Sequence, residues 1–322
     1  MTTSQTLDFS QLPWLLQDYL RLMTRYRQSD MTPPQSLLLY GERGIGKSIL
    51  VDHLVAGILC QSISETLEPC GQCQSCRWLA SGFHPDLYTI GGEQEIKVDE
   101  VRKIHHFAQL TPETGCKIVV IKEADRLNIN AANSLLKVLE EPPAELYFIL
   151  ESSAMERLPI TVRSRCQSDY IASPDSIEAL RCLELITHGT VLPQDLTLLL
   201  AISLNAPLSA LTLLPSYQEK GRDIIAILEC LFAGDFREIS QVNELVTAES
   251  LTFALLFFVM IASLDLYRGE IPVELQAIVQ SVKQFPAQKR LTQYEQLVEI
   301  NRARTTQTRT AWALEAWFIN YS

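Results

Sequence analysis

The chain has 322 residues, more than one hydrophobic core ordinarily serves, so two or three domains are expected. Apolar residues make up 47% and charged residues 20%, which excludes a disordered or membrane-embedded composition. The net charge of -11 excludes a chain that wraps nucleic acid alone, because phosphates must be neutralised by Lys and Arg; any such contact must be local or shared with a more basic partner. Residues 12–28 place apolar side chains at helical spacing, and Thr32-Pro33-Pro34 ends that pattern. An apolar strand, Ser36 to Tyr40, then runs into Gly41-Glu42-Arg43-Gly44-Ile45-Gly46-Lys47-Ser48 and an apolar helix over 47–60. This loop fits G-x-x-x-x-G-K-[ST] at every fixed position and lies between a strand and a helix start. Glycines let the backbone curl its N–H groups inward, and the helix N-terminus adds partial positive charge, so the loop is expected to hold phosphates. Lys47 is expected to reach the outer phosphates of ATP or ADP, and Ser48 to offer its hydroxyl to Mg²⁺.

Cys60, Cys70, Cys73 and Cys76 follow in the pattern C-x9-C-G-x-C-x-x-C. Four thiolates so close in sequence suit one tetrahedral Zn²⁺, held structurally because no position is left open for a substrate. An iron–sulfur run would need a further Cys three residues on, and position 80 is Ala. The bland alternative is a buried Cys60 and three loop thiols. The N-terminal MTTSQTLDFSQ lacks the charged-then-apolar order of a leader, and the longest apolar run, Leu251 to Leu264, is too short for a bilayer. A cytoplasmic protein with no membrane contact is expected, so its thiols are expected as metal ligands or buried groups rather than disulfides.

His84-Pro85-Asp86 leads into a strand over 87–90, and 98–110 reads as an amphipathic helix. His105 and His106 on it point to different faces and are expected at the surface. The run 117–121 (KIVVI) has the apolar continuity of a central parallel strand. A helix is expected over 130–139, ended by Glu140-Glu141-Pro142-Pro143, then a strand over 147–150. Strands alternating with helices predict a parallel sheet with helices on both faces. After Asp169 leucine-rich helical patterns take over. Ser173-Pro174-Asp175 opens the first helix, Pro193, Pro207 and Pro215 are expected to divide the region into short helices, and five or so longer helices follow from about 216.

With these residues in order, the chain resembles the delta-prime subunits of the bacterial DNA polymerase III clamp loader, within the AAA+ superfamily. The resemblance rests on Pro13-Trp14, the phosphate loop, the four cysteines and His84-Pro85-Asp86. It continues through Ala124-Asp125-Arg126-Leu127-Asn128, Ala131-Ala132-Asn133-Ser134-Leu135-Leu136-Lys137 and Glu140-Glu141-Pro142-Pro143 to Arg163-Ser164-Arg165-Cys166. It is specific over 12–170 and vague beyond. It implies an α/β plus all-α protein: an AAA+ domain over 1–172 with a zinc insert at 60–76, a helical lid over 173–215, and a helical collar over 216–322 that joins a five-subunit ring. The implied partners are gamma or tau and delta subunits and, indirectly, the sliding clamp and primed DNA. The resemblance places the chain in a DNA-directed DNA polymerase assembly without a polymerase active site of its own.

The same resemblance makes Arg165 a finger acting in the ATP site of a neighbour, although the residue types equally allow it to cap the preceding helix or pair with a carboxylate. Three positions depart from an active ATPase. The strand over 117–121 runs into Lys122-Glu123, where an Asp-Glu pair would order Mg²⁺ and polarise water; Glu123 keeps its place and Lys122 replaces the metal-ordering carboxylate. Asp125 is a possible substitute three residues on. Leu208 stands where the lid's sensor arginine is expected. Ser152 or Ser153 is the candidate first sensor, with Glu151 an unusual neighbour. The expected function is clamp loading with weak or absent intrinsic hydrolysis. The alternative is an active ATPase of the gamma or tau kind, favoured by the intact loop and opposed by Lys122 and Leu208.

Overall fold

The computed structural model describes residues 9–27, 33–92, 94–234, 245, 248–303 and 307–321. These form two compact units that divide between Pro174 and Asp175. The first is built on a five-stranded parallel sheet of order β2-β3-β4-β1-β5. Its strands are β1 (Ser36–Tyr40), β2 (Leu87–Gly91), β3 (Lys117–Lys122), β4 (Leu146–Ser152) and β5 (Gln167–Tyr170). The central strands are apolar runs because both faces are covered: Leu37, Leu38, Leu39, Ile118, Val119, Ile121, Phe148 and Leu150 are buried. β1 pairs with β4 so that Leu39 lies opposite Glu151 and Tyr40 opposite Ser152, which brings the end of β4 beside the start of the phosphate loop.

The helices are α1 (Leu16–Arg27), α2 (Lys47–Leu59), α3 (Gln74–Ala80), α4 (Val98–Ala108), α5 (Ile129–Glu140) and the single turn α6 (Ile160–Arg163). The N-terminal helical pattern begins as a 3₁₀ turn, Pro13–Leu15, with Pro13 in its first turn; residue 28, expected within it, lies outside the described residues. α1 is fixed to the sheet by Arg21 and Arg25, which both pair with Asp169 on β5. Arg27 donates to the carbonyls of Gly57, Ile58 and Cys60, satisfying the C-terminal end of α2. α5 starts where Asn128 caps the amide of Ala131, at 2.8 Å.

The His84-Pro85-Asp86 triplet ties the cysteine-bearing segment to the sheet. The His84 ring bridges Ser75 on the rim of α3, at 2.8 Å from Nε2, and the Asp86 amide, which donates to Nδ1 at 3.0 Å. That acceptor role leaves the proton on Nε2, and burial lowers the His84 pKa, both consistent with a neutral ring. Asp86 is buried and accepts from the amides of Glu113 and Thr114 and the Thr114 hydroxyl. Asp86→Ala would leave these donors without their anion; a loss of ~3 kcal/mol is expected, read from the shift of the urea midpoint, whereas a change within ~0.5 kcal/mol would contradict this role.

Among the described residues of the second unit every regular element is a helix. Asp175 caps α7 (Ser176–Ile186) by accepting from the amides of Ile177 and Glu178. Pro193 and Pro207 occupy the first positions of α8 (Pro193–Ile202) and α9 (Pro207–Phe232), where a missing N–H costs nothing. Pro215 does not end a helix as expected, and α9 runs through it, across the expected 215/216 boundary. The buried stripe Ala210, Leu213, Tyr217, Ile224 and Leu228 holds the helix together across the proline. Helices Glu249–Ser263, Val273–Lys283, Ala287–Arg302 and Gln307–Tyr321 follow. Leu256, Phe258, Val279, Leu297, Leu314 and Phe318 lie in one core with Leu199 and Leu228. Helix Glu249–Ser263 is the buried element expected from the longest apolar run, and among the described residues no single helix is long and apolar enough to cross a membrane.

Candidate functional site

The phosphate loop, Gly41 to Ser48, links β1 to α2. A side chain at Gly41 would stand 2.3 Å from the carbonyl oxygen of Ile171, so glycine lets the loop pass the chain leaving β5. Gly46 has φ +97°, a left-handed conformation that glycine adopts freely. Ile45 is buried, and its carbonyl accepts from Trp14 Nε1 at 3.0 Å, which gives the Pro13-Trp14 signature a place under the loop. The first turn of α2 leaves amides without intrahelical acceptors at this point, the usual setting for an anion.

Lys47 is buried and turned into the loop. Its Nζ donates to the carbonyls of Gly41 at 3.0 Å and Glu42 at 2.7 Å, and to Ser153 Oγ at 3.0 Å. Burial lowers its pKa, opposed by Glu151, Glu123, Glu42 and Asp125. Ser48 Oγ donates to Glu151, at 2.7 Å from Oε1 and 2.8 Å from Oε2. Glu151 is itself buried, and burial raises its pKa while the Ser48 bond, Lys47 and Lys122 hold it down.

The end of β3 is arranged differently. Lys122 reaches to Asp52 on α2, at 2.9 Å. Glu123 sits in the left-handed region at φ 50° and pairs with Arg126 at 3.5 Å. Asp125 accepts from Ser152 Oγ at 2.8 Å and from the Ser153 amide at 3.1 Å. Ser153, one of the two sensor candidates, contacts Lys47, and Ser152 is committed to Asp125. The contact between Ser48 and Glu151 escaped sequence reasoning. Its signal was present: a carboxylate at the carboxyl end of a strand beside the phosphate-loop strand. Leu208 lies in the second unit, as the second residue of α9.

The four cysteines come together at the C-terminal end of α2. Their sulfurs all lie within 4.8 Å of one another, and Cys70 and Cys76 are 4.0 Å apart. Zn–S bonds of ~2.3 Å give a tetrahedron with edges of about 3.8 Å, so the donor set and spacing fit zinc. Backbone amides of Cys70, Cys73 and Cys76 donate to the sulfurs of Cys60, Cys70 and Cys73, as thiolate ligands require. Backbone N–H donors at Gln72 and Cys73 lower Cys70. Burial opposes ionisation at Cys73, yet the amides of Cys76 and Gln61 help bring it to about 6. Burial pushes Cys76 up to about 12 without an ion.

Arg165 lies just beyond α6 and is partly exposed. Its Nη1 donates to the Thr161 carbonyl at 2.8 Å, and its Nη2 pairs with Glu140 at the end of α5. In the chain by itself the guanidinium therefore both caps a helix and pairs with a carboxylate. Arg163 is different: its Nε is buried and has no hydrogen-bond partner. On α4, His105 is half-buried, with Nε2 3.1 Å from the Ser134 carbonyl, whereas His106 is exposed as expected.

The family model described as "DNA polymerase III, delta subunit" matches residues 18–174. The DNA polymerase III subunit delta' of Pseudomonas aeruginosa is 38% identical over 181 residues, 54% of this chain and 53% of that protein. The subunit delta' of Escherichia coli is 34% identical over 221 residues, 66% of this chain and 64% of that protein. The DNA polymerase III subunit tau of Salmonella typhimurium is 35% identical over 145 residues, 45% of this chain and 22% of that protein. The chain thus spans about half of the first delta' relative and under two thirds of the second.

Proposed function

We propose that the chain belongs to the DNA polymerase III delta-prime family and is a ring subunit of a clamp loader, acting in DNA replication. It holds ATP or ADP in its own phosphate loop, turns it over slowly or not at all, and lends Arg165 to the ATP site of a neighbouring subunit. Its direct partners are gamma or tau ATPase subunits and a delta subunit; the sliding clamp and primed DNA are reached through the assembly. One juxtaposition carries this reading: an intact phosphate loop beside a strand end where Lys122 replaces the carboxylate that would order Mg²⁺.

The chemistry follows from the residues. Loop amides and Lys47 would grip the phosphates, with Lys47 exchanging its carbonyl acceptors for phosphate oxygens. Glu123 stands beside Lys122, so water activation lacks its usual metal partner. Arg165 is held by exposed contacts of a kind that contribute about 0–1 kcal/mol, so release to a neighbour's γ-phosphate costs little. Its permanently charged fork suits phosphate oxygens. Cys60, Cys70, Cys73 and Cys76 would hold a structural Zn²⁺ that clips the end of α2 to α3. Residues 173–215 serve as the lid and 216–322 as the ring-joining collar, with α9 as the shared strut between them.

The intact loop and the similarity to a tau subunit favour a second reading, an active ATPase of the gamma or tau kind. Steady-state ATP turnover by the purified chain separates the two. Turnover far below that of the assembled loader is expected; turnover comparable to it would establish the second reading. Lys47→Ala removes the side-chain cation aimed at the phosphates and should weaken ATP binding by ~100-fold, measured by titration of a fluorescent nucleotide. Unchanged affinity would contradict the assignment of the pocket.

A further inference from the structure

An ordinary phosphate-loop site holds its Mg²⁺ between the loop Ser or Thr and a carboxylate at the end of another strand of the sheet, which in this chain corresponds to β3. In this chain that strand end carries Lys122, whose ammonium points away to Asp52. The loop hydroxyl is nevertheless held by a carboxylate. Ser48 Oγ contacts both oxygens of Glu151, at 2.7 Å and 2.8 Å, and Glu151 comes from β4, directly across from Leu39 of β1. Two of the other carboxylates acting on Lys47 have other engagements: Asp125 holds Ser152 and the Ser153 amide, and Glu123 pairs with Arg126. Asp125, the substitute considered from the sequence, is therefore not the residue that meets the loop hydroxyl.

We propose that Glu151 takes over the role of the missing carboxylate, so that a divalent cation accompanying bound nucleotide is held by Ser48 and Glu151. The inference rests on the phosphate-loop reading above. Its physical basis is electrostatic. Glu151 is 3% exposed, and a carboxylate that deep beside an incoming polyphosphate would repel it without an intervening cation. With the cation, the same carboxylate favours the metal-bound nucleotide over the free one. The pocket thereby gains a metal requirement for binding, while Lys122 still denies it the usual arrangement for turnover. A carboxylate on β4 also frees the end of β3 from metal duty, which explains how lysine is accommodated there.

The test is nucleotide binding, which needs no turnover. Fluorescent ADP is titrated into the full chain in Mg²⁺ and in EDTA, and Mn²⁺ replaces Mg²⁺ for detection of bound metal by electron paramagnetic resonance. The wild type should bind at least ~10-fold more tightly with the metal, a difference of ~1.4 kcal/mol. Glu151→Gln keeps the shape and a hydrogen-bond acceptor; it should bind ADP equally with and without metal and show no nucleotide-dependent Mn²⁺ signal. Ser48→Ala, which leaves Glu151 in place, should weaken the Mn²⁺ signal as well. Retention of the full metal effect in Glu151→Gln overturns the proposal. So does metal-independent binding in that variant that is tighter than the wild type's binding in Mg²⁺, which would make Glu151 an anion that merely occludes the loop. Failure of the wild type to bind ADP in either buffer would instead remove the nucleotide reading on which the proposal stands, and the proposal with it.

Discussion

Arg165→Ala should lower the clamp- and DNA-stimulated ATPase of an assembled loader, and clamp loading with it, while leaving this chain's fold, zinc content and nucleotide affinity unchanged. Thr161 and Glu140 are its contacts in the chain itself, and both are surface contacts whose loss costs little. Fingers of this type contribute about 10³–10⁵ in rate at the site they serve. Other sites in the ring keep their own fingers, so the loss summed over the complex should be smaller than the loss at the one site served. Arg165→Lys should restore activity only partly, because a point charge does not reproduce the planar fork. Arg163→Ala serves as the control for effects of the segment itself. Its partly buried guanidinium belongs to the packing of α6, so any deficit there should track stability rather than turnover at fixed folded concentration.

The second large effect concerns the cysteine cluster. Cys73→Ser should reduce zinc affinity by more than ~100-fold, beyond what loss of a merely supporting residue costs. Residues 60–80 should exchange amide hydrogens faster, while the strands of the sheet keep their protection. The separation is expected because the sulfurs crowd at the end of α2, whereas the sheet core is built from β1, β3 and β4. Burial raises the Cys76 pKa, whereas backbone amides lower that of Cys73, and a bound cation would stabilise the thiolates together. Metal analysis of anaerobically purified wild-type chain should find zinc. Its absence would leave four thiols with no ion to hold.

Much of this architecture is legible without coordinates. The strand over 117–121 stands out because a strand covered on both faces has no polar alternation, and the observed strand extends it by one residue, Lys122. The phosphate loop is visible because its glycines, lysine and serine sit in fixed order between a strand and a helix. β5 is not visible for the opposite reason: Gln-Ser-Asp-Tyr at a sheet edge buries only Asp169, so it carries no apolar signal. α3 is hidden among the cysteines, and only its Cys73 cap and the His84 bridge show what holds it. Pro215 misleads because local backbone preference is overridden by the buried stripe of α9. At the site, sequence order identifies the loop but not which carboxylate meets Ser48; that depends on the pairing of β4 with β1, a contact between residues far apart in the chain.

The most direct measurement is ATP turnover, stimulated by clamp and primed DNA, in three loaders that differ only in this chain: wild type, Lys47→Ala and Arg165→Ala. A subunit that works in its neighbour's site predicts that the Lys47→Ala ring keeps most of its activity and the Arg165→Ala ring loses a large share. The reverse pattern, with Lys47→Ala impaired and Arg165→Ala at the wild-type rate, would contradict that role and make this chain an ATPase in its own right.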